Sequence, residues 1–158
     1  MKIVIVDDEP KIRNGLSKLL SSRPGFDITG VFENAMEALE QLSVSYADVI
    51  ITDIKMPEIN GLDLINRIRE KDENTKIIIL SGYSDFSFAQ RAIELGVTRY
   101  LTKPTNAREL IGILEEIEKN IQKPRSEEKQ EMKVLIIGHG KVGSAIAENL
   151  AQDNNDVT

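Results

Sequence analysis

The first ten residues read MKIVIVDDEP (1–10), a short β-branched run that leads into three consecutive acids and a proline. A continuous apolar run as short as residues 2–6 is typical of a strand that is buried on both faces of a sheet. Pro10 suits the first turn of a helix, where the backbone N–H that proline lacks has no helical partner. The stretch therefore predicts a buried strand that ends in acidic side chains and leads into a helix.

The same order of strand and helix recurs along the chain as far as residue 123. The predicted strands are residues 2–6, 26–32, 48–52, 76–80 and 97–101. An amphipathic stretch follows each strand, and the last one covers about residues 106–121. This alternation predicts an α/β fold, a doubly wound five-stranded parallel sheet with helices on both faces. The flavodoxin-like strand order 2-1-3-4-5 is adopted from known folds of this class, because the residues alone do not determine it.

The sequence also makes three local predictions, for a helix cap, a strand face and a turn. Asn34 is placed to cap the second helix. Phe26, Ile28 and Val31 are the candidates for the inner face of the second strand. Gly61 is expected to supply a turn with positive φ and to contact no ligand.

Composition excludes several classes of site. The 158 residues include one His and no Cys, which leaves no disulfide, thiolate zinc site, cysteine nucleophile or paired-histidine metal site. With 20 Lys and Arg against 26 Asp and Glu, the net charge of -6 disfavours non-specific contact with DNA or an anionic membrane. No apolar run approaches the ~20 residues of a membrane span, and the N-terminus does not resemble a signal peptide. A soluble, cytoplasmic protein with no membrane partner is expected.

The chain divides into three parts. Residues 1–123 hold the five strand–helix units, and residues 124–131 are polar, charged and contain a proline, as is typical of a linker. Residues 132–158 restart a strand–loop–helix pattern, which predicts a short C-terminal strand–helix appendage. Because one strand and one helix cannot bury their own apolar faces, the appendage should either fray or pack on the first domain or on a neighbouring chain.

Ligands of open α/β sheets bind beyond the carboxyl ends of the strands. The polar residues predicted there are Asp7, Asp8, Asp53, Ser81 and Lys103. Three carboxylates in one cleft need a compensating cation, and a set of oxygen ligands favours Mg²⁺. A metal, a lysine and a hydroxyl suit a phosphoryl group, and a carboxylate beside the metal can be the nucleophile. Asp53 is the best candidate, because it stands alone at its strand end.

Four motifs now point to a family. They are VDDEP (6–10), DIKMPEINGLDLI (53–65), LSGYSD (80–85) and YLTKP (100–104). In this order and at these spacings, residues 1–123 resemble a response-regulator receiver domain of two-component signalling. The resemblance implies that Asp53 is the phospho-acceptor. It also implies that Asp7 and Asp8 are Mg²⁺ ligands, together with Asp53 and the backbone carbonyl of Lys55.

The resemblance assigns the remaining roles as well. Ser81 would be the hydroxyl that moves to meet the phosphoryl group, and Tyr100 the aromatic switch that turns inward with it. Lys103 would bind the phosphoryl group, and its bond to Pro104 is expected to be cis. A sensor histidine kinase is the implied donor, and the face of helix 4, strand 5 and helix 5 the implied output. Homodimer formation is a further expectation, whereas DNA contact is not encoded in these residues.

The appendage carries a motif of its own. Residues 138–143 read GHGKVG, and Gly138, Gly140 and Gly143 match the GxGxxG pattern after a predicted strand. Residues 132–158 resemble the start of the NAD-binding regulatory subunit of Trk-type potassium transport. The acidic residue that would hold the ribose is expected after a second strand, and residues 132–158 reach only the start of such a strand, so dinucleotide binding by this stretch is not expected.

Two alternatives remain open. An aspartyl-nucleophile phosphohydrolase would use a similar sheet, but such enzymes usually carry a second acid two residues after the nucleophile, and that position is Lys55. A receiver fused to a dinucleotide-sensing module is the other. The leading expectation is a protein that is not an enzyme, beyond slow self-dephosphorylation of an aspartyl phosphate. Individually, each of these residues also has an ordinary structural explanation, such as a strand-end turn or a solvated lysine.

Overall fold

The computed structural model describes residues 1–82 and 86–122 of the chain. The strands are β1 (Lys2–Val6), β2 (Asp27–Phe32), β3 (Val49–Thr52), β4 (Lys76–Ser81) and β5 (Arg99–Thr102). The helices are α1 (Pro10–Ser21), α2 (Ala35–Leu42), α3 (Gly61–Arg69), α4 (Phe86–Glu94) and α5 (Ala107–Gln122). Each element lies within a few residues of the position that the sequence predicts.

The five strands form one parallel sheet in the order β2-β1-β3-β4-β5. The predicted fold class and the adopted strand order are both confirmed. Strands β1 and β3 are neighbours, and Val6 lies opposite Thr52 at their carboxyl ends. The residues that follow these two strands therefore leave the sheet side by side.

Two hydrophobic clusters hold the sheet from opposite faces. In β1, Ile3 and Ile5 belong to the cluster that α1 and α5 complete, whereas Val4 and Val6 belong to the cluster beneath α2, α3 and α4. Side chains of a strand alternate between the two faces of a sheet, so a wholly apolar strand fills both clusters. This burial fixes the strand ends on which the candidate site is built.

The local predictions meet different outcomes. Asn34 caps α2 as predicted, because its side chain accepts a hydrogen bond from the N–H of Glu37 at 2.9 Å. Phe26 is buried, with 7% of its surface exposed. The prediction for Val31 is wrong, since it is 38% exposed. The reason is its position on β2, a strand at the edge of the sheet.

Some predictions fall outside the described residues. They concern the linker 124–131 and the appendage 132–158 with its glycine motif. Among the helices within 1–82 and 86–122, none has the length and apolar character needed to cross a membrane.

Candidate functional site

Three carboxylates meet at the carboxyl ends of β1 and β3. Oxygen atoms of Asp7, Asp8 and Asp53 all lie within 4.8 Å of one another. Asp7 and Asp53 are buried, with 2% and 6% of their surfaces exposed, whereas Asp8 is exposed. The cluster therefore has a buried floor and one side that is open to solvent.

Backbone groups orient the two buried carboxylates. The N–H of Glu9 donates to Oδ1 of Asp7 at 2.9 Å, and the N–H of Ile54 donates to Oδ1 of Asp53 at 2.7 Å. One oxygen of each aspartate thus accepts a hydrogen bond from the backbone that follows its strand. The second oxygen of each, Oδ2, faces the side chain of Lys103.

Lys103 bridges the two buried aspartates from the end of β5. Its Nζ lies 3.0 Å from Oδ2 of Asp7 and 3.0 Å from Oδ2 of Asp53. The backbone N–H of Lys103 donates to the carbonyl of Ser81 at 2.7 Å, which attaches the residue to the neighbouring strand. The peptide bond between Lys103 and Pro104 is cis, as the resemblance to receiver domains implies.

The ionisation of these groups reflects burial and pairing together. Burial raises the pKa of Asp53 above its ordinary value, although the hydrogen bond and charge of Lys103 act in the opposite direction. Burial also acts to lower the pKa of Lys103, but hydrogen bonds to Asp7 and Asp53 outweigh it and leave that pKa raised. The ammonium group of Lys103 is thus charged, and the carboxylates around it outnumber its single positive charge.

The loop after β3 folds back over Asp53 and fixes the start of α3. The N–H of Gly61 donates to the carbonyl of Ile54 at 2.7 Å. A Cβ added to Gly61 would lie 1.9 Å from the carbonyl oxygen of Asp53. The prediction of a positive φ at Gly61 is wrong, because the positive φ in this loop belongs to Glu58, at 68°. Gly61 is required for close backbone approach instead.

The other predicted residues surround this centre. Ser81 is fully buried at the end of β4, opposite Thr102 of β5. Tyr100 is half-buried on β5 and packs against the cluster beneath α2, α3 and α4. Lys55 follows the Asp53–Ile54 turn, and its Nζ lies 5.8 Å from the centre of the Phe88 ring.

Two contacts of the site were not predicted from the sequence. The carboxylate of Glu9 lies 3.5 Å from Nζ of Lys103, and Arg13 donates from α1 to the carbonyl of Asp7 at 2.8 Å. Glu9 belongs to the acidic run at residues 7–9, but the sequence assigns no contact to its side chain. The position of Arg13 near the N-terminus of α1 was the available signal, since the first turn of that helix lies beside the end of β1.

A shallow cavity of about 350 Å³ opens beside the acidic cluster. Its lining is Asp8, Ile54, Lys55, Met56, Pro57, Asn60 and Phe88. The cavity therefore adjoins the cluster on the side of the exposed Asp8. Two other cavities, of about 360 and 520 Å³, lie toward the amino ends of the strands.

The donor set fits a hard divalent cation. All three side chains of the cluster offer carboxylate oxygens, which are the ligands that Mg²⁺ prefers, and the exposed side leaves room for water or substrate oxygens. Their close spacing is unfavourable without a cation, and Lys103 supplies only one positive charge. The residues present therefore suit the metal that the sequence predicts.

Known proteins are similar to this chain in sequence and in architecture. YesN of Bacillus subtilis, a transcriptional regulatory protein, is 36% identical over 117 residues, which cover 73% of this chain and 32% of YesN. A protein-glutamate methylesterase/protein-glutamine glutaminase of Methanospirillum hungatei is 30% identical over 162 residues, covering 95% of this chain and 47% of that protein. The crystal structure of the response regulatory domain of mrkE from Klebsiella pneumoniae superimposes with a TM-score of 0.70 at 27% identity. It covers 75% of this chain and 96% of that domain.

The chain spans about a third of the length of YesN and about half the length of the methylesterase. The family model described as the response regulator receiver domain matches residues 3–115. This match covers most of the chain and includes both buried aspartates and Lys103. The chain therefore belongs to the response-regulator receiver family.

Proposed function

We propose that the protein is a phospho-acceptor switch of a two-component system and that Asp53 receives the phosphoryl group. The observation that carries this proposal is the position of the Asp53 carboxylate, 3.0 Å from Lys103 and within 4.8 Å of the other two acids. The donor is a phosphohistidine of a sensor kinase. An oxygen of Asp53 forms a bond to phosphorus while the phosphorus–nitrogen bond breaks, and the imidazole leaves and takes up a proton.

Charge neutralisation is the main requirement of this transfer, because the incoming group and the acceptor are both anionic. Asp7, Asp8, Asp53 and the backbone carbonyl of Lys55 would hold Mg²⁺, which supplies positive charge to the phosphoryl oxygens when bound. Lys103 is positioned to bind a further phosphoryl oxygen with the ammonium group that now bridges Asp7 and Asp53. Attack by water on phosphorus would later release phosphate and restore Asp53.

The switch itself involves Ser81 and Tyr100. Ser81 ends the strand next to β5, and the backbone of Lys103 is bonded to its carbonyl, so a shift at Ser81 reaches β5 directly. We propose that the hydroxyl of Ser81 moves toward the phosphoryl group and that Tyr100 turns inward. The face of α4, β5 and α5 then changes its affinity for a second copy or for another output partner. Such a change is a population shift between two states.

The same proposal includes a cytoplasmic location and no enzymatic turnover beyond slow self-dephosphorylation. The position two residues after Asp53 is Lys55, where a phosphohydrolase of this type usually has an acid. The net charge of -6 disfavours DNA contact by these residues. Dinucleotide sensing through Gly138, Gly140 and Gly143 stays an alternative only, and these glycines lie outside the described residues.

Incubation with acetyl phosphate and Mg²⁺ tests the proposal. The intact protein should gain the mass of one phosphoryl group, and omission of Mg²⁺ or the substitution Asp53→Asn should abolish the gain. Asp27→Asn is the matched control, since Asp27 is an exposed residue at the start of β2, at the opposite end of the strands. The same gain of mass in Asp53→Asn would overturn the assignment.

A further inference from the structure

The C-terminal end of α4 is held by a side chain of α3. Nε of Arg69 donates to the carbonyl of Leu95 at 2.9 Å, and Nη2 donates to the carbonyl of Gly96 at 3.1 Å. Nη1 of the same guanidinium donates to the carbonyl of Asp72 at 3.1 Å. The last carbonyls of a helix have no partner within the helix, so Arg69 satisfies groups that α4 leaves open.

The chemistry of this contact makes it strong. A guanidinium group is planar and presents several N–H groups in a fixed fork, which lets Arg69 bind two successive carbonyls at once. Its positive charge also lies at the negative end of the α4 dipole. Gly96 has φ +72° and ends the helix, so the two carbonyls are presented by a defined cap.

The N-terminal half of α4 is held by contacts of another kind. Phe88 and Met56 both pack against the cluster beneath α2, α3 and α4 and both line the cavity beside the acidic cluster, and the ammonium group of Lys55 lies 5.8 Å from the Phe88 ring. Phe86, the first residue of α4, is 73% exposed. Met56 and Lys55 belong to the loop after Asp53, so this half of the helix rests on the loop that a phosphoryl group would disturb.

We propose that Arg69 is a positioning residue that fixes the C-terminal end of α4 as a pivot. When the site is occupied, the N-terminal half of α4 moves while its C-terminal end stays in place, so the helix tilts. With nine residues, α4 is about 13 Å long, so a small rotation about one end displaces the other measurably. This inference rests on the proposed function. It assigns to Arg69 the task of converting a change near Asp53 into a tilt of one helix of the output face.

Hydrogen exchange of the full chain, with and without Mg²⁺ and beryllofluoride, tests the pivot. In the wild type, the ligand should change exchange in residues 86–90 and leave residues 91–98 nearly unchanged. In Arg69→Gln, the residues at 91–98 should exchange about tenfold faster before ligand is added, and the ligand-induced change should extend through them. Arg67→Gln is the matched control, because Arg67 is an exposed residue of the same helix.

A purely structural role for Arg69 would raise exchange without altering where the ligand acts. Arg69→Lys, which keeps the charge but lacks the fork, should give an intermediate spread. If Arg69→Gln or Arg69→Lys confines the response to residues 86–90 as the wild type does, the pivot is wrong while the proposed function stands. If beryllofluoride changes nothing in the wild type, the proposed function fails and this inference fails with it.

Discussion

Gly61→Ala is expected to damage both the fold and the site, although alanine is the better helix former. Gly61 begins α3, and its added Cβ would lie 1.9 Å from the carbonyl oxygen of Asp53, 2.9 Å from the carbonyl carbon and 3.0 Å from Cα of Ile54. The atoms met are all backbone, so no side chain can rotate away. The start of α3 must move by about 1 Å, which strains the hydrogen bond from Gly61 to Ile54.

The expected magnitude follows from opposing effects. Replacing glycine by alanine inside a helix stabilises by up to about 1 kcal/mol, and less at the first position. Overpacking typically costs about 1–3 kcal/mol, and a weakened buried hydrogen bond adds about 1 kcal/mol. Steric strain therefore dominates, and we expect Gly61→Ala to lower the free energy of unfolding by about 2–3 kcal/mol. Because the start of α3 packs directly against the backbone of Asp53, its movement should also disturb Asp53, and phosphorylation by acetyl phosphate should fall as well.

Two other glycines provide controls of the opposite sign. Gly15 in α1 and Gly112 in α5 have no atom within 4 Å of an added Cβ. Their replacement by alanine should raise the free energy of unfolding by about 0.5–1 kcal/mol each. Urea denaturation with linear extrapolation measures all three variants. A Gly61→Ala variant as stable as the wild type, or one stabilised like the two controls, would refute this reasoning.

Substitutions at three further positions have defined outcomes. Lys103→Met removes the cation between Asp7 and Asp53, so the free energy of unfolding in Mg²⁺-free buffer should fall by about 1–3 kcal/mol relative to the wild type. Added Mg²⁺ should recover most of this loss, and an equal loss with and without Mg²⁺ would contradict the reasoning. Burial acts to raise the pKa of Asp72, but hydrogen bonds from the hydroxyl of Thr75 and from nearby backbone N–H groups leave that pKa lowered. The stabilising contribution of Asp72 is therefore present above the ordinary carboxyl pKa of 3.8 and is lost as the pH falls through the lowered pKa. The variant Asp72→Asn should be less stable than the wild type at pH 7, and its free energy of unfolding should depend less on pH in that acidic window. Denaturation across a pH series measures both effects. Asn34→Ala removes the cap of α2 and should lower the unfolding free energy by about 1 kcal/mol, whereas Asn34→Asp should retain it in the same denaturation assay.

Hydrophobic patterning was sufficient to predict the five strands and the helices between them. Strands buried on both faces have a short apolar run as their signature, and each of them also has a polar end. The strand order was adopted from known folds, since neighbouring strands are decided by packing between distant segments. Asp7 and Asp53 could be predicted as neighbours only once that order was assumed.

The errors and omissions have physical causes. Val31 is apolar but lies on an edge strand, and edge position is not visible in a local pattern. The local sequence predicts a turn at Gly61, whereas the role of this residue depends on the backbone of Asp53, eight positions earlier. The contacts of Glu9 with Lys103 and of Arg69 with Leu95 join residues far apart in sequence. Long charged side chains are usually solvated, so nothing in the local sequence distinguishes Glu9 and Arg69 from the charged residues that face solvent.

Chemical trapping tests most directly whether Asp53 takes the phosphoryl group. Borohydride reduces an aspartyl phosphate to homoserine, and peptide sequencing by mass spectrometry then locates the converted residue. After treatment with acetyl phosphate and Mg²⁺, homoserine is expected at position 53 and should disappear when Mg²⁺ is withheld. Conversion at Asp7 or Asp8, or no conversion in a protein that has gained phosphoryl mass, would contradict the assignment of Asp53 as the acceptor.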